Sequence, residues 1–157
     1  MKIGIIYYSH SGNTESVARR LYENLISCGH IVKLEEITVD GEVTPGNKEF
    51  LLTNAPAVEG YDSVIFGSPV QAFALNPAMI RYLEQIASLQ GVSFTCFITK
   101  QLPLSITGAK QAVNKIKELG EAKGGNFCGS DYIIWSKADR EQKIEEVVNK
   151  LSRILSE

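Results

Sequence analysis

The sequence predicts an α/β fold in which a parallel β-sheet carries helices on both of its faces. Three observations support that expectation. Short apolar runs alternate with amphipathic stretches along the whole chain, the order that builds strand–helix–strand units. Residues 3–8 and 63–67 are apolar at nearly every position rather than at alternate ones, as in strands covered from both sides. The 157 residues, 44% hydrophobic and 22% charged, also match one globular domain, which at this size buries roughly two thirds of the surface its unfolded chain exposes.

The elements follow in order. Residues 3–8 read as the first strand. Residues 14–28 read as a helix, with Val17, Ala18, Leu21 and Leu25 at helical spacing and charged residues between them. Gly29 stands where a helix commonly ends. Residues 31–37 read as a second strand with polar alternation. Residues 39–60 are rich in Gly, Pro, Asn and Asp and read as a long connection, with one helical turn near Phe50, Leu51 and Leu52. Residues 63–67 are the third strand. A helix over 77–89 follows, with Asn76 as its N-cap and Pro77 in its first position. Residues 92–99 are the fourth strand, and 108–123 form a helix that packs through Ala109, Ala112, Val113, Ile116 and Leu119. Residues 127–135 are the fifth strand, interrupted in pattern by Gly129 and Asp131. Residues 139–155 give the clearest helix, with Ile144, Val147, Val148, Leu151, Ile154 and Leu155 on one stripe. No repeat, low-complexity tract or linker divides the chain, so residues 1–157 read as a single domain.

Composition excludes several classes. A net charge of −2 gives no footprint for nucleic acid. No segment approaches the roughly 20 apolar residues of a membrane span. The apolar start at residues 1–6 runs into a polar turn with no small-residue cleavage site, so it reads as a strand and not as a leader. Cys28, Cys96 and Cys128 form no CxxC pair, and an odd, scattered set argues for reduced thiols in the cytoplasm.

In a sheet of this kind, ligands bind beyond the carboxyl ends of the strands, so function is sought in the loops there. The loop after the first strand reads Ser9, His10, Ser11, Gly12, Asn13, Thr14. It leads into a helix N-terminus, which offers free backbone N–H groups and a partial positive charge. Its hydroxyls and amide add neutral donors, Gly12 lets the backbone curl close to a ligand, and no Lys or Arg is present. A phosphate here is held by dipoles and hydrogen bonds alone. The bland alternative is a serine-rich turn capped by Ser11 or Asn13.

This loop, in its strand–loop–helix setting, resembles the phosphate loop of the flavodoxins, of the form [ST]-x-[ST]-G-[NT]-[ST], with Ser9, Ser11, Gly12, Asn13 and Thr14 in the matching places. The resemblance implies a flavodoxin-like three-layer αβα fold, a five-stranded parallel sheet in the order 2-1-3-4-5, and FMN as the cofactor. The stretch Ser68, Pro69, Val70, Gln71, Ala72, Phe73 after the third strand looks like the loop that passes beside the flavin ring in that family. Phe73 then either stacks on the ring or anchors the loop in the core. Thr99, Lys100, Gln101 and Leu102, continuing through Pro103, Leu104 and Ser105, occupy the place of the second flavin-facing loop. Electron-transfer flavodoxins commonly carry a tyrosine there, and nothing between Thr99 and Gly108 is aromatic. One face of the ring is therefore expected to be open.

Lys100 has two readings: a cation near the ring's N1–C2=O edge that favours the reduced, negatively charged flavin, or a solvated surface lysine. His10 either tightens phosphate binding at low pH or faces solvent without a role. Trp135 reads as a packing residue at the end of the sheet.

Other ligand classes of this architecture lack their motifs. GxGxxG and GxxxxGK[ST] are absent. Ser68 and Pro69 stand where a phospho-accepting receiver needs an aspartate. No cysteine is followed by Cys-x5-Arg spacing: the positions concerned are Leu34, Leu102 and Ile134. Two functions remain. The first is an FMN-dependent electron carrier that docks to redox partner proteins or to an NAD(P)H-linked reductase. The second is an NAD(P)H:quinone or flavin reductase-type enzyme with an open flavin face. The short chain and an uninterrupted fifth strand resemble the short-chain flavodoxins and favour the carrier. The missing second aromatic and mild net charge favour the enzyme. A third option is a domain that kept the fold and lost the flavin, against which the intact phosphate loop weighs.

Overall fold

A computed structural model describes residues 1–44, 46–103 and 106–155. Pro45 of the long connection, and Leu104 and Ser105 of the second flavin-facing loop, lie outside the described residues. The chain runs β1 (Lys2–Tyr7), α1 (Asn13–Ser27), β2 (Ile31–Glu36), β3 (Thr38–Asp40), β4 (Leu51–Asn54), β5 (Ser63–Gln71), β6 (Ala74–Leu75), α2 (Pro77–Gln85), β7 (Ser93–Lys100), α3 (Ile106–Ala122), β8 (Asn126–Ile134) and α4 (Arg140–Leu155).

Five parallel strands pair in the order β2-β1-β5-β7-β8. Counted among themselves this is 2-1-3-4-5, the expected order. Successive side chains on a strand point to opposite faces, and the core splits accordingly. Ile3, Ile5 and Tyr7 pack with Val17, Leu21 and Leu25 of α1 and with Ile144, Val147 and Leu151 of α4. Ile6, Val64, Phe66 and Phe94 pack on the other face with Met79, Tyr82 and Leu83 of α2 and with Ala109, Ala112 and Ile116 of α3. Three layers result, as the resemblance implied.

The long connection departs from expectation. The helical turn near Phe50–Leu52 is absent, and Leu51–Asn54 is instead a strand pairing antiparallel with β3. The side chains explain this: Leu51 and Thr53 face solvent while Leu52 joins the core, a period of two rather than 3.6. Thr38 and Thr53 share a hydroxyl–hydroxyl hydrogen bond of 2.7 Å across the ribbon. Phe50, buried, lies under the Arg81 guanidinium at 3.8 Å, which also donates to the carbonyls of Phe50 and Lys48.

Two boundaries shift for local reasons. α2 ends at Gln85, short of the expected 89, because Ile86 turns extended. The segment after it docks Leu89, fully buried, at the end of α3. The Leu89 amide donates to the Lys123 carbonyl, while Lys123 Nζ donates back to the Glu84 carbonyl. β5 runs four residues beyond the expected Gly67, to Gln71. Pro69 is tolerated within it because the Gly67 carbonyl faces Tyr8. Two residues on, the missing N–H of Pro69 faces the same way, where β1 has already ended. The fifth strand runs unbroken as expected, over Asn126–Ile134, and the irregular pattern at Gly129 corresponds to a shift in pairing between β7 and β8.

Candidate functional site

The carboxyl ends of β1, β5 and β7 converge on a cavity of about 290 Å³ lined by His10, Ser11, Asn13, Pro69, Val70, Gln71, Asn76, Thr99, Lys100 and Gln101. A second cavity of about 280 Å³ adjoins it and shares Val70, Lys100 and Gln101; its remaining lining is Ala72, Phe73, Leu102 and Gly108. Most of the expected site residues thus meet in one place, on three loops distant in sequence.

The first loop is shaped by its own hydroxyls. Gly12 is the N-cap of α1 with φ 94°, a left-handed conformation that glycine adopts without strain. The expected caps, Ser11 and Asn13, are not used; no side chain caps through the N-cap position. Ser9 does that work from outside the helix, its Oγ accepting from the amides of Gly12 at 3.1 Å and Glu15 at 3.2 Å. Ser16 Oγ donates to the Asn13 carbonyl at 2.8 Å. Thr14 is buried, and its hydroxyl meets that of Thr99, also buried, at 2.9 Å. This bond ties the start of α1 to β7. Ser9 and Thr14 are therefore structural braces, Thr99 braces α1 from the cavity wall, and the first loop lines the cavity through His10, Ser11 and Asn13. Ser9 takes the amides of Gly12 and Glu15, so those of Asn13 and Thr14 are the first-turn amides left with no intrahelical acceptor, the kind of helix end that favours an anion.

The second stretch is not a loop but a hairpin. Val70 pairs with Leu75 and Gln71 with Ala74, leaving Ala72 and Phe73 as a two-residue turn with φ 49° and 65°. Both angles positive define the turn type whose twist suits a hairpin, usually filled by Asn-Gly or Gly-Gly. Alanine and phenylalanine there carry strain. The strain presents Phe73 to solvent at 65% exposure, so its reading as a core anchor is overturned; it walls the second cavity. Two amides hold the hairpin. Asn76 Oδ1 accepts from the Ala78 amide at 2.8 Å as the cap of α2. Its Nδ2 donates to Gln71 Oε1 at 2.7 Å, and Gln71 Nε2 donates to the Val43 carbonyl at 2.8 Å. Ser68 is fully buried, its Oγ donating to the Pro69 carbonyl. Gln71 and Ser68 thus support the site rather than present a free polar group to it.

The third stretch ends β7. Lys100 pairs with Ile134, and its carbonyl accepts from the Trp135 amide at 2.7 Å. The solvated reading of Lys100 is overturned: it is 8% exposed, and Nζ is buried without a hydrogen-bond partner. Leu102, by contrast, is 54% exposed at the rim of the second cavity. Trp135 packs at the sheet end as expected, half-buried beneath the Arg140 guanidinium at 4.9 Å.

Sequence reasoning missed Asn76 and Gly108 as lining residues. Asn76 was legible only as a helix cap; the hairpin brings it to the cavity. At Gly108 a Cβ would stand 3.3 Å from the Phe73 Cα, so the start of α3 and the turn require each other's shape. No cluster of potential metal ligands occurs among the described residues. Nor is any helix among them long and apolar enough to cross a membrane.

No family model and no curated protein sequence matches the chain. Solved structures do. The fold is similar to that of oxidised flavodoxin 1 from Bacillus cereus, with a TM-score of 0.72 at 16% identity, covering 99% of this chain and 98% of that one. Oxidised flavodoxin 2 from the same organism gives 0.70 at 23% identity, with 99% and 98% covered. A flavoprotein from Lactobacillus acidophilus NCFM, solved in complex with FMN, gives 0.64 at 21% identity, with 93% and 97% covered. The likeness establishes a flavodoxin-like fold over essentially the whole chain.

Proposed function

We propose that the protein binds one FMN non-covalently at this site and passes electrons between redox partners. The reading rests on the union of two unlike cavities. One lies at a helix N-terminus among neutral donors; the other lies between Phe73 and Leu102 and is mostly apolar. A ligand with a phosphate at one end and a flat ring at the other matches that pair. FMN in one structural neighbour and the flavodoxin identity of others point the same way.

When bound, FMN supplies reversible uptake of one or two electrons. Ser11, Asn13, His10 and the amides of Asn13 and Thr14 would hold the phosphate. Val70, Phe73 and Leu102 would flank the ring. Ser9, Thr14, Thr99, Gln71 and Asn76 fix the loops, so that ordering them is not charged to binding. Redox partner proteins or an NAD(P)H-linked reductase complete the proposal. Three free cysteines suit a reducing, cytoplasmic setting.

One observation favours a second reading, an NAD(P)H:quinone or flavin reductase-type enzyme. The β7 side of the second cavity offers Leu102 and no aromatic, so a ring there has a face open to a small substrate. The test is reconstitution with FMN, followed by the visible spectrum and photoreduction. Flavin bands and quenched flavin fluorescence support the site; their absence refutes it. Reduction that halts after one electron supports the carrier, and direct two-electron reduction by NAD(P)H supports the enzyme.

A further inference from the structure

We infer that Lys100 is a charge-selecting residue of this site: its ammonium, buried without a partner where the two cavities meet, receives the negative charge a bound flavin ring gains on reduction, so the site holds reduced FMN more tightly than oxidised FMN. This rests on the proposed FMN reading and deepens it.

The placement of Lys100 is the first argument. Side chains alternate along β7. Phe97 packs on the α1–α4 face, and Thr99, two residues on, reaches α1 through Thr14. Cys96 and Ile98 pack on the α2–α3 face, and Lys100 continues that row. Its ammonium therefore leaves the sheet on the side away from the phosphate helix, toward the cavity walled by Val70, Phe73 and Gly108.

The second argument is cost. A lysine is almost never fully buried unless paired, and an uncompensated buried charge is strongly unfavourable. Lys100 has no hydrogen-bond partner, and neither cavity is lined by an Asp or Glu among the described residues. Its backbone is paired to β8 and its Nζ is already buried, so the charge does not have to swing in from solvent. The phosphate end has its own helix dipole. The unmatched charge is left for the ring.

The chemistry balances without a protein redox group. Two electrons pass from dithionite, which leaves as sulfite. One proton follows from solvent to the ring, and the ring's net charge falls by one. A cation in a site of low dielectric responds to that change far more strongly than one in water.

The experiment compares wild type, Lys100→Met and Lys100→Arg, each loaded with FMN and with riboflavin, by dye-equilibrated reduction with dithionite and by direct titration of oxidised and reduced flavin. Wild type is expected to bind reduced FMN at least tenfold more tightly than oxidised FMN. Lys100→Met is expected to abolish that ratio and lower the midpoint potential by about 30 mV for each tenfold lost. Lys100→Arg retains the preference, and riboflavin, which has no phosphate, shows the same pattern. An unchanged midpoint in Lys100→Met overturns the inference. So does a loss of FMN affinity that riboflavin does not share, which would assign the ammonium to the phosphate. If Lys100→Met does not fold or hold flavin, the wild-type titration decides: reduced FMN bound no more tightly than oxidised overturns it. Failure of wild type to bind FMN at all sinks the proposed function and this inference with it, whereas FMN bound with a lysine-independent potential sinks this inference alone.

Discussion

Replacing Thr14 and Thr99 by valine, singly and together, tests whether the start of α1 is tied to β7 by one buried bond. The two hydroxyls lie 2.9 Å apart, and the residues are 1% and 3% exposed. Valine keeps the shape and removes the oxygen. Either single variant leaves the surviving hydroxyl buried without its partner, a penalty of about 1–3 kcal/mol. The double variant has no orphan left, and replacing both partners by apolar groups of like shape is nearly neutral. Thr14→Val and Thr99→Val should therefore each destabilise the flavin-free protein by about 1–2 kcal/mol, while the pair costs about 1 kcal/mol or less. The coupling energy should reach about 1–3 kcal/mol, within the range for residues in contact. Urea denaturation followed by far-ultraviolet circular dichroism at constant m-value gives all four corners of the cycle. Additivity within about 0.3 kcal/mol, the behaviour of independent sites, would refute the bridge.

Three further outcomes follow from the same geometry. A Cβ at Gly67 would sit 2.2 Å from Phe97 Cζ, a ring that is fully buried. Gly67→Ala should cost about 2–3 kcal/mol by overpacking, and a denaturation midpoint equal to wild type would contradict the packing described. Ala72 holds φ 49°, so Ala72→Gly should be neutral or stabilising by up to about 1 kcal/mol, while Ala72→Val should destabilise. Equal midpoints for the two variants would show the turn is not left-handed. The alkaline limb is set by buried acids kept protonated. Burial pushes the Cys96 thiol up to about 12 from 9.0. Burial, then nearby carboxylates, raises the Tyr7, Tyr61 and Tyr82 phenols above 10.0. The unfolded chain releases these protons first, so the stabilisation is whole below about pH 9 and falls as pH climbs past 9 and then 10 toward the folded values. The steepest loss is about 1.4 kcal/mol per pH unit for each group titrating. Urea midpoints that hold steady between pH 8 and 11 would refute it.

The sheet order and the helices were legible because their signals are redundant: each helix carries four or more core positions at one period, and each parallel strand an apolar run. The ribbon of β3 and β4 was not, because Phe50, Leu51 and Leu52 are consecutive apolar residues and only burial shows that Leu51 is 70% exposed. The hairpin at Ala72–Phe73 was hidden for a related reason. Its turn lacks the Gly or Asn that announces such a shape, and it is held instead by Asn76 and Gln71 from outside. At the site, the positions of the donors were readable from the first loop. Which hydroxyls brace and which face the ligand was not, since Ser9 and Ser11 are the same residue type two positions apart. The fate of Lys100 also needed the fold: its burial comes from β5, β8 and α3 closing around the end of β7.

Thr99 and Lys100 are neighbours in sequence that serve opposite sides of one strand. Inserting or deleting a single residue within Ser93–Lys100 would exchange them, aiming the ammonium at α1 and the hydroxyl at the cavity walled by Val70 and Phe73, with composition almost unchanged. The chemistry of this site is thus encoded in the parity of a count as much as in the identity of its residues, and length is expected to vary freely only past the strand's last rung.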